Sequence, residues 1–131
     1  MSLDTPLAKI ADVADEAWNR LKAGVETENA ESFRAYVRFI AKPNLIGADD
    51  ETLRAAFRND DIALILAADQ LTFDDPRQPV LCIDPEGKLS PFRVPLEHLW
   101  EVENNVSIGN LLLEEIVEDQ VVDGWFVTAF I

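Results

Sequence analysis

The sequence predicts an α/β domain in which helices pack on a mixed, mostly parallel sheet, with an α+β arrangement as the alternative. Three observations carry this prediction. Ile62 to Ala68 and Val80 to Ile83 are short apolar runs rich in branched residues, as in central strands covered on both faces. Helical stripes alternate with these strand-like segments. No repeat, low-complexity tract or Gly/Ser linker divides the chain, so residues 1–131 read as a single globular domain.

The N-terminal stretch can be read two ways. Thr5-Pro6 looks like an N-cap with proline at the first helical position, and Leu7, Ile10, Ala11, Ala14, Trp18, Leu21 and Val25 then recur at helical spacing, giving one helix to Gly24. Alternatively, Leu7 to Val13 is a strand, Asp12 or Asp15 starts the helix, and only Ala14, Trp18, Leu21 and Val25 form its buried stripe. Phe33 to Ala41 alternates, with Phe33, Ala35, Val37 and Phe39 on one face and Arg34, Tyr36 and Arg38 on the other, which predicts a half-exposed strand. Pro43, Asn44 and Gly47 break the chain. Asp49-Asp50-Glu51 then places acids at a helix N-terminus, with Arg54 and Arg58 towards its other end and Leu53, Ala56 and Phe57 facing inward.

Thr72 to Pro79 reads as a loop between the two apolar runs, Asp84-Pro85-Glu86-Gly87 as a turn, and Phe92 to Val94 as a short strand. Pro95 begins a helix with Leu96, Leu99 and Trp100 inward and Glu97 and Glu101 outward, ending near Asn104-Asn105. Leu111 to Val117 reads as helical, and Trp125 to Ile131 as a closing strand after Asp123-Gly124.

Composition narrows the function classes. With 48% hydrophobic residues, three Trp and seven Phe, the chain can build a core and is not expected to be disordered. A formal charge of -14 repels phosphate, so no nucleic-acid partner is expected. Every Lys and Arg lies at or before Arg93, whereas Val94 to Ile131 holds eight acids and no base. Such a segment attracts basic proteins or cations, with Glu114, Glu115, Glu118 and Asp119 as the partner-binding candidates. The alternating Phe33 to Ala41 strand is a candidate for homodimer pairing.

Cys82, the single cysteine, lies in an apolar run and reads as a buried thiol. The Met1-Ser2-Leu3 start has no signal-peptide pattern, and the longest apolar run is seven residues, short of the ~20 that a membrane span needs. A cytoplasmic protein with no membrane partner is the expectation.

Candidate chemistry is sparse. Asp69 and Asp84 each follow a predicted central strand, where open α/β sheets place their crevice. With Asp74 and Asp75 between them, they could gather oxygen ligands for Mg²⁺ or Ca²⁺, although strand-end aspartates also serve as turn residues and helix caps. His98 has the side chain of a general base but falls on the outer or flanking side of its helix. Glu103-Asn104-Asn105-Val106-Ser107-Ile108-Gly109-Asn110 concentrates polar side chains around two apolar residues. It reads either as a capped turn between helices or as a ligand-binding set of Glu103, Asn104, Asn105, Ser107 and Asn110, with His98 nearby. No phosphate loop, nucleophile elbow or Cys/His metal spacing occurs, and no cofactor is expected.

The stretch Phe92 to Asn110, FRVPLEHLWEVENNVSIGN, resembles the signature of a family of small acidic bacterial proteins known as a domain of unknown function, in which L-W-x-V-E-N-N is followed by S-I-x-N. The run into Ala68-Asp69 and the Pro79 to Asp84 strand are similar to that family's middle section, and Asp12, Asp15 and Trp18 resemble its opening. The resemblance implies a strand rather than a helix for Leu7 to Val13, and it brings no activity, substrate or catalytic residue.

Two functions follow from the sequence. The first is a non-enzymatic binding or regulatory protein whose acidic C-terminal third contacts a basic protein, in an immunity- or inhibitor-like role. The alternative is a small enzyme or a metal- or ligand-binding domain with its crevice at Asp69, Asp84 and the Glu103 to Asn110 turn.

Overall fold

Alternation along three adjacent strands sets the architecture. In the computed structural model, which describes residues 4–128, the strands are β1 (Thr5–Lys9), β2 (Val37–Ile40), β3 (Ile65–Ala68), β4 (Val80–Ile83), β5 (Phe92–Val94), β6 (Val121–Val122) and β7 (Trp125–Phe126). Leu7, Leu66, Ala68, Val80 and Cys82 face one core, while Ala8, Ile65, Ala67 and Ile83 face another. A strand wetted on one side would need polar residues at every second position, and β3 and β4 have none.

The first core is covered by α1 (Asp15–Glu26), α4 (Leu99–Ser107) and α5 (Leu113–Gln120), through Trp18, Leu21 and Val25, then Leu99, Val102 and Val106, then Leu113 and Ile116. The second is covered by a 3₁₀ turn at Pro43–Leu45 and by α2 (Asp50–Ala56), through Leu45, Leu53 and Phe57. A short α3 (Gln70–Asp74) follows β3, and a 3₁₀ turn at Leu96–His98 leads into α4. Leu21 and Leu66 are fully buried, and truncating either to Ala should cost about 3 kcal/mol.

The strand order is β2-β1-β3-β4-β5-β7-β6. β1 pairs in parallel with both β2 and β3, β3 with β4 and β4 with β5 are antiparallel, β5 with β7 is parallel, and β7 with β6 is antiparallel. The class is therefore α/β, as predicted, but half of the pairings are antiparallel rather than most being parallel. The short α3 connection is the reason: a parallel partner for β3 would need a crossover of a dozen or more residues, and residues 69–79 do not supply one.

Several boundaries differ from the prediction. Thr5-Pro6 belongs to β1 and caps no helix, and the strand begins and ends earlier than Leu7 to Val13. α1 starts at Asp15, without a side-chain cap. Of Phe33 to Ala41, only Val37–Ile40 is strand, and Phe33 is 44% exposed. Ala56 is exposed at the end of α2. Thr72 to Pro79 is not all loop, because α3 runs to Asp74 under a capping box between Asp69 and Thr72. α4 continues through Asn104-Asn105 to Ser107. The residues of the expected closing strand beyond Thr128, and the Met1-Ser2-Leu3 start, lie outside the described residues.

Candidate functional site

The antiparallel pairing of β3 and β4 decides whether the expected crevice can form. Ile65 lies opposite Ile83 and Ala67 opposite Leu81, so Asp69 and Asp84 leave the sheet at opposite ends. Four to five residues of strand separate their levels, roughly 15 Å. They do not converge, which corrects the crevice built from both.

Asp69 lies where β3 ends beside β1, the switch point of the parallel β2-β1-β3 unit. Its carboxylate is bidentate to Arg93, with Nη1 donating at 2.9 Å and Nη2 at 2.7 Å, and Oδ1 also accepts the Thr72 N–H and hydroxyl. Burial works against its charge, but the Arg93 hydrogen bonds and charge and the Thr72 donors outweigh it and hold the pKa below the ordinary aspartate value. Arg93 is correspondingly raised, chiefly by its hydrogen bond to Asp69. Asp69 is thus the cap of α3 and the anchor of β5.

Asp84 organises the turn after β4. Its Oδ1 accepts the Glu86 N–H at 3.0 Å, and Oδ2 accepts those of Lys88 and Leu89 at 2.9 and 3.1 Å. Among the described residues, no group of three or more His, Cys, Asp or Glu is placed to hold a metal ion.

Glu103 is buried at 2% exposure and braces the other side of the sheet. Oε1 accepts the Tyr36 N–H at 2.6 Å, and Oε2 accepts the Thr5 hydroxyl at 3.1 Å and the Ser107 hydroxyl one turn along α4. Glu101, expected to face outward, is 3% exposed and accepts the Thr128 hydroxyl at 2.8 Å. Helical period alone could not reveal this, because the covering groups come from distant parts of the chain.

Asn105 and Asn110 close α4. The Asn110 N–H reaches back to the Asn105 carbonyl and the Gly109 N–H to that of Val106, a Schellman pair around Gly109 at φ +75. The Asn110 amide donates to Asn105 Oδ1 at 2.9 Å, where an apolar contact more often stands. The Asn105 amide in turn donates to the Glu101 carbonyl at 2.8 Å, and the Asn104 carbonyl accepts the Ile108 N–H. The polar cluster is therefore largely a brace and a cap. His98 is half-buried, with Nε2 3.5 Å from Glu97 Oε1 and its ring tilted against Phe126.

Two cavities open on the first face. One, of about 420 Å³, brings Asp84 together with the end of α4 and the start of α5, its apolar lining including Ile62, Leu89, Val106 and Leu111 to Leu113 and its rim Glu86, Lys88 and Glu114. Ile108 and Leu112 beside it are 78% and 58% exposed. Glu114, Glu115, Glu118 and Asp119 are all exposed on α5, and none forms a salt bridge among the described residues. Glu115 accepts the Leu112 N–H at 2.9 Å, which starts the helix. The other cavity, of about 480 Å³, lies between the end of α1 and the start of α4 and was not anticipated from the sequence. Its aromatic wall pairs Phe33 with Trp100, 67 positions away, and no local pattern signals such a contact.

Residues 7–128 match the model of a domain of unknown function, DUF6924. The chain belongs to this family. The match covers nearly all of the chain and bears out the resemblance to a domain of unknown function. No curated protein matches the chain. In this DUF6924 chain no helix of the described residues is long and apolar enough to cross a membrane.

Proposed function

We propose that the protein is a non-enzymatic binding domain that captures a basic segment of a partner protein across α5 and the apolar groove beside it. An inhibitor- or immunity-like role fits this description. The observation that carries the reading is the juxtaposition of four exposed carboxylates on α5, Glu114, Glu115, Glu118 and Asp119, which form no salt bridge among the described residues, with exposed Leu112 in a groove of about 420 Å³ and exposed Ile108 on the segment between α4 and α5. Contiguous exposed apolar surface rimmed by charge favours protein docking. The carboxylates supply steering and register, and the leucines and isoleucine supply the area that is removed from water. No cofactor or metal is needed for such a role. A cytoplasmic setting belongs to the reading and is supported by the single free thiol, Cys82, buried in β4.

Affinity capture from cell extract, followed by cross-linking, tests this. A basic partner cross-linked to α5, released as salt shortens the Debye length from about 8 Å at physiological strength, is the expected result. The variant carrying Glu114→Lys, Glu118→Lys and Asp119→Lys, which spares the Glu115 cap, should lose that partner while keeping the parent's circular dichroism. Capture unaffected by both salt and charge reversal would overturn the reading.

A further inference from the structure

The cavity between α1 and α4 lies away from the α5 groove and has a different chemistry. Val25, Ala35 and Leu99 form its buried floor. Phe33 stacks on Trp100 along its wall, with centroids 4.9 Å apart and planes within 7° of parallel. Arg34 and Arg77 stand at its rim, together with Glu28, Glu97 and Gln78. Its volume, about 480 Å³, falls among those of small-molecule sites.

Among the chain's seven arginines, Arg20 and Arg58 also form no salt bridge among the described residues, so it is aromatic packing that sets the two at this cavity apart. Arg38, Arg54 and Arg93 each pair with an aspartate, Asp60, Asp50 and Asp69 respectively. Arg34 and Arg77 have no carboxylate partner among the described residues and instead lie over aromatic rings, Arg34 at 4.5 Å from the centre of Tyr36 and Arg77 at 4.4 Å from that of Trp125. A guanidinium packed by its face keeps its in-plane N–H groups for an oxygen acceptor. In a chain with 25 acids and 11 bases, two such arginines on one cavity mark where a carboxylate or phosphate is accepted from outside.

From this we infer that the cavity binds a small planar aromatic ligand carrying one anionic group, with its ring against the Phe33–Trp100 wall and its anion between Arg34 and Arg77. The net charge of -14 opposes a long polyanion, which would meet the acidic surface beyond the cavity, so the ligand is a small molecule rather than a nucleic-acid strand.

Titration of the ¹⁵N-labelled protein, following the Trp100 indole and the arginine side-chain N–H signals, tests the assignment. The probes are benzoate and adenosine monophosphate, each beside its neutral counterpart, benzyl alcohol and adenosine. At least one anionic probe should give a saturable shift of these signals and bind about tenfold or more tightly than its neutral counterpart. Which of the two does so separates a carboxylate ligand from a phosphate one. Arg34→Gln and Arg77→Gln should each weaken that probe by a similar factor, and Arg34→Lys should retain more affinity than Arg34→Gln. Melting curves establish that the variants fold, and any that does not is replaced by Phe33→Leu, which removes half of the aromatic wall and should also weaken binding. Absence of saturable shifts with both anions, equal binding of the neutral compounds, or full affinity in the folded arginine variants would overturn the assignment.

Discussion

Glu103 Oε1 accepts the backbone N–H of Tyr36 at 2.6 Å, joining two residues 67 positions apart. The same carboxylate takes the Thr5 hydroxyl, so one side chain on α4 holds both β1 and the approach to β2. Glu103→Ala would leave the part-buried Tyr36 N–H without its acceptor and the Thr5 and Ser107 hydroxyls bonded only to each other, at a cost of about 2 kcal/mol. Glu103→Gln keeps one carbonyl oxygen and should lose about 1 kcal/mol. Urea unfolding checks this through its midpoint, and equal midpoints for the two variants would contradict the brace.

Much of the frame was legible in the residues, because the signals concerned are local. The apolar runs of β3 and β4, the stripe around Trp18 and the acids that open α2 all predicted their elements. What escaped depends on distance or brevity. α3 has five residues, too few to display a helical period, although Asp69, readable as either a ligand or a cap, is its cap. Asn104-Asn105 looked like a helix stop, yet their capping partner, Asn110, lies one turn beyond. The acidic face of α5 was readable from charge alone, whereas the groove beside it needed the fold to bring Ile62, Leu89 and Leu112 together.

Acid should weaken the Asp69–Arg93 tie. Because the folded carboxyl sits below its ordinary value of 3.8, the unfolded chain takes up the proton first as pH falls. The stabilisation is complete above that value and fades as pH drops through the lower folded one. At neutral pH, Asp69→Asn should cost about 2 kcal/mol, and the gap between variant and parent should close below the ordinary value. Stability curves against pH, parallel for the two proteins down into strong acid, would contradict this.

Gly109 sits at φ +75, and a Cβ there would meet nothing within 4 Å. The cost of Gly109→Ala is therefore conformational alone, about 1 kcal/mol. Gly109→Asn should recover part of it, since asparagine tolerates the left-handed region. Thermal unfolding ranks the three proteins, and an alanine variant as stable as the parent would show that the α4 cap had rearranged.

Burial in β4 pushes the Cys82 thiol well above its ordinary range. Reaction with a thiol reagent should accordingly follow unfolding, slow in buffer and immediate in denaturant. Rapid labelling of the folded protein would place the side chain elsewhere.

β2 is an edge strand of four residues, and its Arg38 is tied to Asp60 at 2.8 Å. Short, charged edges resist pairing with a second copy. Sedimentation at micromolar concentration should therefore give a monomer, whereas a dimer dispersed by Arg38→Pro would implicate this edge.

Glu101 and Glu103, two residues apart on α4, are bonded to Thr128 and Thr5 respectively. During synthesis the first strand must wait for about a hundred further residues before its brace exists, whereas Glu101 meets Thr128 only 27 residues after it is made. A nascent chain stalled within α4 consequently has β1 to β5 made but leaves their first core without its α4 and α5 cover, exposed to water or to chaperones. Translation speed through residues 99–128, more than through any earlier stretch, should govern how much of the protein reaches its native state.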